Sequence, residues 1–274
     1  MSNPYIPIPV KVEKITVESE DKSLKSLDLS FLNGDGRFSY LPGQFCELSI
    51  LGKGEAPFGI ASSPTEGGLK FTVNRLGVVT TALHYLEEGE TIGLRGPLGN
   101  HYPVDEFKGK NVVIVGGGFA FTTLRALTIY LLSHRKDYKD ITIIYGARTP
   151  DLLLYKDDLE EWEKRSDINL VQTIDKKVEG WNKRVGFVPS VTKEVAPSSK
   201  DAYAVVCGPP IMIKFTLPVL QELGFSPDRI ITSLEMRMKC GIGKCGRCNI
   251  GSKYVCIDGP VFSFAQLEEM PKEY

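Results

Sequence analysis

Four of the six cysteines of the chain lie close together near the C-terminus, in a pattern that could bind metal. Cys240, Cys245, Cys248 and Cys256 have the spacing C-x4-C-x2-C-x7-C, beginning in the segment MKCGIGKCGRC. In a reducing compartment clustered cysteines usually bind metal or carry out redox chemistry, because disulfides are rare there. The sequence therefore predicts that these four thiols are metal ligands.

The spacing favours a [2Fe–2S] cluster over a single zinc ion. Zinc ribbons use two C-x2-C pairs, each of which offers two sulfurs to one tetrahedral ion, and this segment has one such pair. C-x4-C-x2-C followed by a fourth cysteine is the plant-type [2Fe–2S] spacing. Gly241, Gly243 and Gly246 would permit the positive-φ backbone that turns amides toward sulfur. Structural zinc and a disulfide remain the alternatives.

Four cations, Lys239, Lys244, Arg247 and Lys253, surround the cysteines. A tetrathiolate cluster carries net negative charge, so nearby cations favour its reduction. The same side chains could equally form the rim of a docking face for another protein.

Three glycine-containing turns could bind phosphate groups. Residues 116–118 stand where an apolar strand passes into a helix, and free amides together with the helix dipole favour an anion there. The CGPP segment at 207–210 closes a later strand, and ligands of open α/β sheets bind at the carboxyl ends of strands. Gly77 and Thr80 stand at the start of a short helix nearer the N-terminus. Glycines at such turns are also explained by tight packing, so both interpretations stay open.

Composition limits the class of protein. The chain has 274 residues, a net charge of −1 and a hydrophobic fraction of 42%, which suits a globular protein of two domains and a small appendage. The charge gives no reason to expect nucleic acid as a partner. No apolar run is long enough to insert into a membrane, and the N-terminus lacks the pattern of a secretory signal. We therefore expect a cytoplasmic protein.

The pattern of elements changes once along the chain. From about residue 8 to 107, short alternating apolar runs are separated by turn residues such as Asn33-Gly34 and Asp35-Gly36, which predicts an antiparallel barrel or sandwich. From about Lys110 an apolar strand, a glycine turn, an amphipathic helix and a second strand form a βαβ unit of a parallel sheet. Cys46 falls in a strand pattern and is expected to be a buried apolar residue.

The order of these pieces resembles the ferredoxin–NADP reductase superfamily. Within it, the cysteine loop is similar to the electron-transfer subunits of dihydroorotate dehydrogenase, and more closely to sulfhydrogenase gamma subunits and anaerobic sulfite reductase B subunits. The resemblance covers nearly the whole chain. The segments that carry it are LPGQF (41–45), APFGIASSP (56–64), GVVTTALH (77–84), LRGPLGN (94–100), YGAR (145–148), CGPPIM (207–212) and SLEMRMKCGIGKCGRC (233–248).

The resemblance implies three modules. An antiparallel flavin-binding β-barrel would occupy residues 1–107, and a doubly wound parallel sheet that binds NAD(P) would occupy residues 108–232. A small C-terminal [2Fe–2S] loop module would occupy residues 233–274.

The implied flavin is FAD, in a site that departs from the family pattern. The motif R-x-Y/F-S falls on Ala56, Phe58 and Gly59, so Phe58 would pack on the isoalloxazine while the phosphate-clamping arginine and the serine near flavin N5 are missing. Backbone amides of residues 59–61 would then contact the ring edge. Asn74 also stands where arginine is frequent, which leaves the flavin phosphates to the amides near Thr80. The implied flavin residues are Phe58, Gly59, Ile60, Ala61, Gly77, Val78, Val79 and Thr80.

The implied NAD(P) site departs further. The family turn G-G-x-G-x-A-P-L corresponds here to GGGFAFTTL, which places Ala120 at the second glycine and Thr123 at the proline. Phe121 is bulky and, pointing inward, would occupy the nicotinamide entrance. Arg148 stands where a 2′-phosphate would lie, but the choice between NADH and NADPH stays open. The implied nucleotide residues are Gly116, Gly117, Gly118, Arg148, Cys207, Gly208 and Pro209.

These cofactors together predict an electron-transfer subunit. Nicotinamide gives two electrons as hydride and an iron–sulfur cluster accepts one at a time, so a flavin is the natural converter between them. The three histidines are scattered, and no acid–base constellation is needed; Cys207 and Glu235 are the residues that the family places near nicotinamide and flavin. We expect a catalytic oxidoreductase subunit as partner in a hetero-oligomer. The alternatives are a relay subunit that has lost pyridine-nucleotide binding, or a zinc-stapled binding module.

Overall fold

The computed structural model describes residues 3–32, 38–235 and 237–271. The turn dipeptides Asn33-Gly34 and Asp35-Gly36, which the sequence places between strands, lie outside these ranges. Within the described residues the architecture has two sheets of unlike type and a small C-terminal module.

The first sheet is antiparallel and has six strands in the order β4-β3-β6-β1-β2-β5. Its edges approach each other, because the Ala61 amide that follows β4 donates to the Lys70 carbonyl of β5. Valine, leucine and phenylalanine side chains fill the interior, together with Cys46, which is fully buried as predicted. The elements are β1 Ile8–Val17, β2 Leu24–Phe31, β3 Phe45–Ile50, β4 Gly54–Gly59, β5 Leu69–Asn74, α1 Val78–His84 and β6 Thr91–Leu98.

The second sheet has seven strands in the order β10-β9-β8-β7-β11-β12-β15, all parallel except the last. Its central strand reads NVVIVGG and is almost entirely buried, because helices cover both faces of such a sheet. The predicted strands and helices of this part are confirmed. The elements are β7 Asn111–Gly117, α2 Phe121–Ser133, β8 Ile141–Ala147, α3 Lys156–Glu163, β9 Asn169–Ile174, β10 Arg184–Val185, α4 Val188–Val195, β11 Ala202–Cys207, α5 Pro210–Glu222 and β12 Ile230–Ser233.

The C-terminal module packs on both sheets. Its apolar core includes Cys248, Cys256 and Phe262 and is completed by Phe45 of β3. Strand β15 pairs antiparallel with β12, so the module also extends the parallel sheet. Its elements are β13 Asn249–Ile250, β14 Lys253–Tyr254, α6 Val255–Asp258, β15 Val261–Ser263 and α7 Phe264–Glu268.

A buried arginine joins the two sheets. Arg125 on α2 donates to the Ala61 carbonyl at 2.9 Å and to Glu66 of the first sheet at 3.0 Å, and it also pairs with Asp158 on α3. Its charge is neutralised by these two carboxylates, which a buried guanidinium requires. The contact fixes the segment after β4 against the helix that follows the glycine turn of β7.

Candidate functional site: a cleft and the cysteine loop

The cysteine loop has the backbone that sulfur ligation needs. Gly241, Gly243 and Gly246 have φ of +70°, +68° and +72°, as the sequence predicts. These turns aim amides at sulfur: Lys244 N–H and Cys245 N–H donate to Cys240 Sγ at 3.3 and 3.4 Å. The Gly243 amide donates to Cys256 Sγ at 3.2 Å. Such contacts stabilise negative charge on thiolate ligands.

The four thiols are arranged as two pairs. Cys240 hydrogen-bonds with Cys245, and Cys248 hydrogen-bonds with Cys256. Among residues 3–32, 38–235 and 237–271, no group of three or more His, Cys, Asp or Glu side chains surrounds a single point where one ion would sit. Two pairs of sulfurs are a donor set that a binuclear cluster could use.

The thiols differ in acidity. Burial raises the pKa of Cys240, but the amides of Ile242, Cys245 and Lys244 lower it more, so that its pKa is about 7. Burial and the neighbouring Cys248 raise the pKa of Cys256 to about 12. Because metal ligands must be deprotonated, the more exposed Cys240 is the first of the two to become a thiolate.

A cleft of about 830 Å³ connects the first sheet to the cysteine loop. This volume lies within the range of small-molecule sites. Its walls contain the predicted phosphate-binding turn and, on the opposite side, the first cysteine of the loop. The lining residues are Tyr5, Lys53, Gly54, Glu55, Ala56, Leu76, Gly77, Val78, Val79, Thr80, Lys239 and Cys240.

The start of α1 presents free amides to this cleft. The N–H groups of Val78, Val79 and Thr80 are in the first turn, where a helix has no carbonyl to bond them. The Thr80 hydroxyl itself accepts from the amides of Leu76 and Gly77 at 2.9 and 2.7 Å, so it shapes the turn. A flavin pyrophosphate would therefore meet amides here, as the sequence predicts in the absence of the family arginines.

The segment after β4 differs from the prediction. The amides of Ile60 and Ala61 already donate to the carbonyls of Gln44 and Lys70, at 3.1 and 2.9 Å, so these two N–H groups are not free for a flavin edge. Phe58 is only 9% exposed and packs in the interior of the barrel. Its contact with the isoalloxazine stays a prediction.

Gly59 is required by its neighbour across the domain interface. A Cβ at this position would overlap the Thr123 methyl group, closer than side chains pack in proteins. The two departures from the family motifs, glycine for serine and threonine for proline, are therefore complementary in space.

This packing makes a double substitution informative. Gly59→Ser alone is expected to lower stability by about 1–3 kcal/mol through overpacking. Adding Thr123→Ser removes the obstructing methyl, keeps the hydroxyl and should recover most of the loss. Urea unfolding of both variants, with Thr123→Ser alone as control, measures the coupling. If Gly59→Ser lowers the free energy of unfolding equally with Thr123 and with Thr123→Ser, the close contact between these two positions would be contradicted.

The two glycine turns of the second sheet meet at its carboxyl edge. A Cβ on Gly208 would lie 3.5 Å from the Gly117 amide, and Met212 of α5 lies over both glycines. Gly118 has φ of +53° and open space around it, with no atom within 4 Å of where a Cβ would stand. Of the three glycines at 116–118, Gly118 is the one that faces a free volume.

The prediction that Phe121 occupies the nicotinamide entrance is wrong. Its ring is fully buried below the turn, stacked on Tyr145 with 3.8 Å between ring centroids. It fills the space that a Cβ on Gly116 would need. Gly116 is thus explained by packing, and the aromatic ring leaves the outer side of the turn open.

Cys207 lies at the interface of the two sheets. The Thr123 hydroxyl donates to its Sγ at 3.8 Å, and Tyr102 hydrogen-bonds with the same hydroxyl at 3.2 Å. Burial raises the pKa of the Cys207 thiol to about 11, with the Glu235 charge adding to the shift. The structure therefore brings Cys207 close to Gly59 through Thr123, and a neutral thiol is the form present at neutral pH.

Arg148 and Asp175 end neighbouring strands. Arg148 is exposed after β8, and Asp175 follows β9, with its amide bonded to the Ala147 carbonyl at 3.2 Å. Burial raises the pKa of Asp175, and the Arg148 charge opposes that shift. A cation for a 2′-phosphate and a carboxylate for a 2′-hydroxyl therefore lie side by side, which leaves the choice of NADH or NADPH open.

Sequence reasoning missed Glu47 and Arg95, which lie between the cleft and the cysteine loop. They occupy opposite positions on the neighbouring strands β3 and β6, and both side chains are buried. Among the described residues, neither carboxylate oxygen of Glu47 has a hydrogen-bond partner. Burial and the Glu55 charge raise the pKa of Glu47 to about 8. A charged residue in an otherwise apolar strand, FCELSI, is the signal that could have identified it.

The Glu47 carboxyl should make stability depend on pH. Its pKa rises from 4.5 to about 8 on folding, so the folded protein holds the proton more tightly and loses stability as pH rises between these values. Glu47→Gln should remove this dependence. Its free energy of unfolding should exceed that of the wild type by up to a few kcal/mol near pH 8, at about 1.4 kcal/mol per pKa unit. Urea unfolding from pH 5 to 8 tests it, with exposed Glu161→Gln as control. Parallel curves for the wild type and Glu47→Gln would rule it out.

Two family models match separate parts of the chain. Residues 114–217 match the family model of the oxidoreductase NAD-binding domain, and residues 235–268 match the iron–sulfur cluster binding domain of dihydroorotate dehydrogenase B. Among the described residues, every helix is too short or too polar to cross a membrane.

Two curated relatives are similar over most of their length. Sulfhydrogenase 1 subunit gamma of Pyrococcus furiosus is 35% identical, over 98% of this chain and 94% of the relative. The probable dihydroorotate dehydrogenase B electron transfer subunit of Methanocaldococcus jannaschii is 36% identical, over 83% and 81% of the two chains.

Two solved structures share the fold. A chain of the NADH-dependent reduced ferredoxin-NADP oxidoreductase superposes with a TM-score of 0.76 at 27% identity, covering 99% of this chain and 91% of that one. A ferredoxin NADP+ reductase from Neisseria gonorrhoeae superposes with a TM-score of 0.70 at 17% identity, over 82% and 96%.

Proposed function

Because the chain belongs to the family of sulfhydrogenase gamma subunits and dihydroorotate dehydrogenase electron transfer subunits, we propose that it passes electrons between NAD(P)H and a partner oxidoreductase subunit. When bound, FAD exchanges two electrons with nicotinamide and single electrons with a [2Fe–2S] cluster. The observation that carries the proposal is the cleft, since one continuous space is lined by the amides of α1 and by Cys240.

The residues of the chain hold and orient the three groups in this proposal. The amides of Val78, Val79 and Thr80 bind the flavin phosphates, and Gly59 lets Thr123 pack closely against the end of β4. Gly118 gives the nucleotide pyrophosphate an open approach at the turn that faces Gly208. The four cysteines, with loop amides directed at Cys240 and Cys256, would bind the [2Fe–2S] cluster.

The division into modules at 1–107, 108–232 and 233–274 is part of this proposal, as is a cytoplasmic location. The structure joins none of the six cysteines in a disulfide, which agrees with a reducing compartment. The named relatives are subunits of larger enzymes, and the partner in this proposal is a catalytic subunit.

Anaerobic titration with NADH and NADPH tests the proposal. We expect either nucleotide, or both, to bleach the visible absorption of flavin and cluster as fully as dithionite does. Bleaching by dithionite alone would leave an iron–sulfur flavoprotein relay without pyridine-nucleotide activity. A colourless protein with stoichiometric zinc would establish the binding-module alternative instead.

A further inference from the structure

One buried arginine connects the wall of the flavin cleft to the cysteine loop. The side chain of Arg95 is 3% exposed, and its Nε and Nη2 donate to the two carboxylate oxygens of Glu55 at 2.9 and 2.7 Å. Nη2 also donates to the carbonyl of Cys240 at 3.1 Å, and Nη1 donates to the carbonyl of Pro4 at 3.1 Å. The fork geometry of a guanidinium allows all these bonds at once.

The contact with Cys240 is more than charge compensation. A buried guanidinium needs a carboxylate, and Glu55 supplies it. The additional bond reaches 145 positions along the chain to the backbone of a predicted iron ligand. Glu55 lines the cleft together with Ala56 and Cys240, so the ion pair touches the flavin side and the cluster side at once.

A second carboxyl group, that of Glu47, lies beside Arg95 and the cysteine loop. Glu47 is the residue opposite Arg95 on the neighbouring strand, and a Cβ on Gly241 would lie 3.4 Å from Glu47 Oε1. The loop therefore rests on a layer that holds one guanidinium and two carboxyl groups. A change in the charge of this layer therefore changes the electrostatic potential at Cys240.

We propose that Arg95 is a positioning residue that holds the Cys240 peptide against the flavin cleft and sets the reduction potential of the cluster. The proposal rests on the proposed function. Arg95 makes and breaks no covalent bond. Its positive charge would favour the reduced, more negatively charged state of the [2Fe–2S] cluster, which would take one electron from the flavin. Its positive charge near the ligand raises the potential, and the Glu55 charge offsets part of that effect.

Neutral substitutions of the two partners should shift the potential in opposite directions. In the anaerobically purified holoprotein, Arg95→Gln should lower the cluster potential, and Glu55→Gln should raise it, each by about tenfold or more in the flavin-to-cluster equilibrium constant. Arg95→Lys restores the charge and should return the potential toward the wild type. Redox titration at fixed pH, followed by electron paramagnetic resonance, measures these shifts.

Arg135→Gln is the matched control, because Arg135 also donates to backbone carbonyls, those of Tyr138 and Asp167, in the loops before β8 and β9. It should leave the potential unchanged. Shifts of the same sign in Arg95→Gln and Glu55→Gln, or no shift with the cluster intact, would overturn the proposal. If Arg95→Gln does not fold, the direction of the potential shift in Glu55→Gln alone tests the proposal, and a lower potential would overturn it. A wild type without cluster would instead refute the proposed function.

Discussion

Replacing Cys248 with alanine is expected to give a protein that keeps its flavin and loses its iron and sulfide. Cys248 is 1% exposed, and its thiol pairs with Cys256, so its loss removes half of one iron's protein ligands. The flavin cleft is lined by Cys240 and not by Cys248. Iron, acid-labile sulfide and flavin assays on the purified variant, with its visible spectrum, measure the result.

Cys46→Ala is the control for this experiment. Cys46 is also a fully buried free cysteine, but it packs inside the first sheet, so the variant should retain both groups. Loss of flavin together with iron in Cys248→Ala would show that the two modules do not bind their groups independently. Full iron content in Cys248→Ala would remove Cys248 from the ligand set.

Phe121→Ala is expected to cost about 3–5 kcal/mol of stability and to leave nucleotide affinity no better than before. The ring is fully buried, stacks on Tyr145 and lies beside Trp162, so truncation opens a cavity in the core. Urea unfolding and equilibrium binding of NADH and NADPH are the two measurements.

Phe187→Ala provides the comparison, because Phe187 is 61% exposed and its loss should change stability little. At least tenfold tighter nucleotide binding by Phe121→Ala, with little loss of stability, would contradict the conclusion that this ring is a core residue. That result would place the ring at the nicotinamide entrance.

Local patterns were enough to predict most of the fold. The alternating strands before residue 107 and the buried run NVVIVGG each carry their period in a few adjacent residues, so the antiparallel and parallel sheets were both predictable. The positive φ of Gly241, Gly243 and Gly246 was also predictable from local sequence, since glycines between closely spaced cysteines permit the backbone that turns amides toward sulfur.

Features that depend on distant residues could not be predicted in this way. The direction of Phe121 is set by the absent side chain of Gly116 and by Tyr145, which arrive from different strands. The bond from Arg95 to Cys240 joins residues 145 positions apart. Strand β15 was missed because three residues, VFS, are too few to show a period.

The most direct test of the central claim is a count of iron, acid-labile sulfide and flavin in the anaerobically isolated protein. We expect about two irons, about two sulfides and about one flavin per chain, because the four cysteines would hold one binuclear cluster beside the cleft that we propose binds flavin. A folded protein that contains neither iron nor flavin would contradict it.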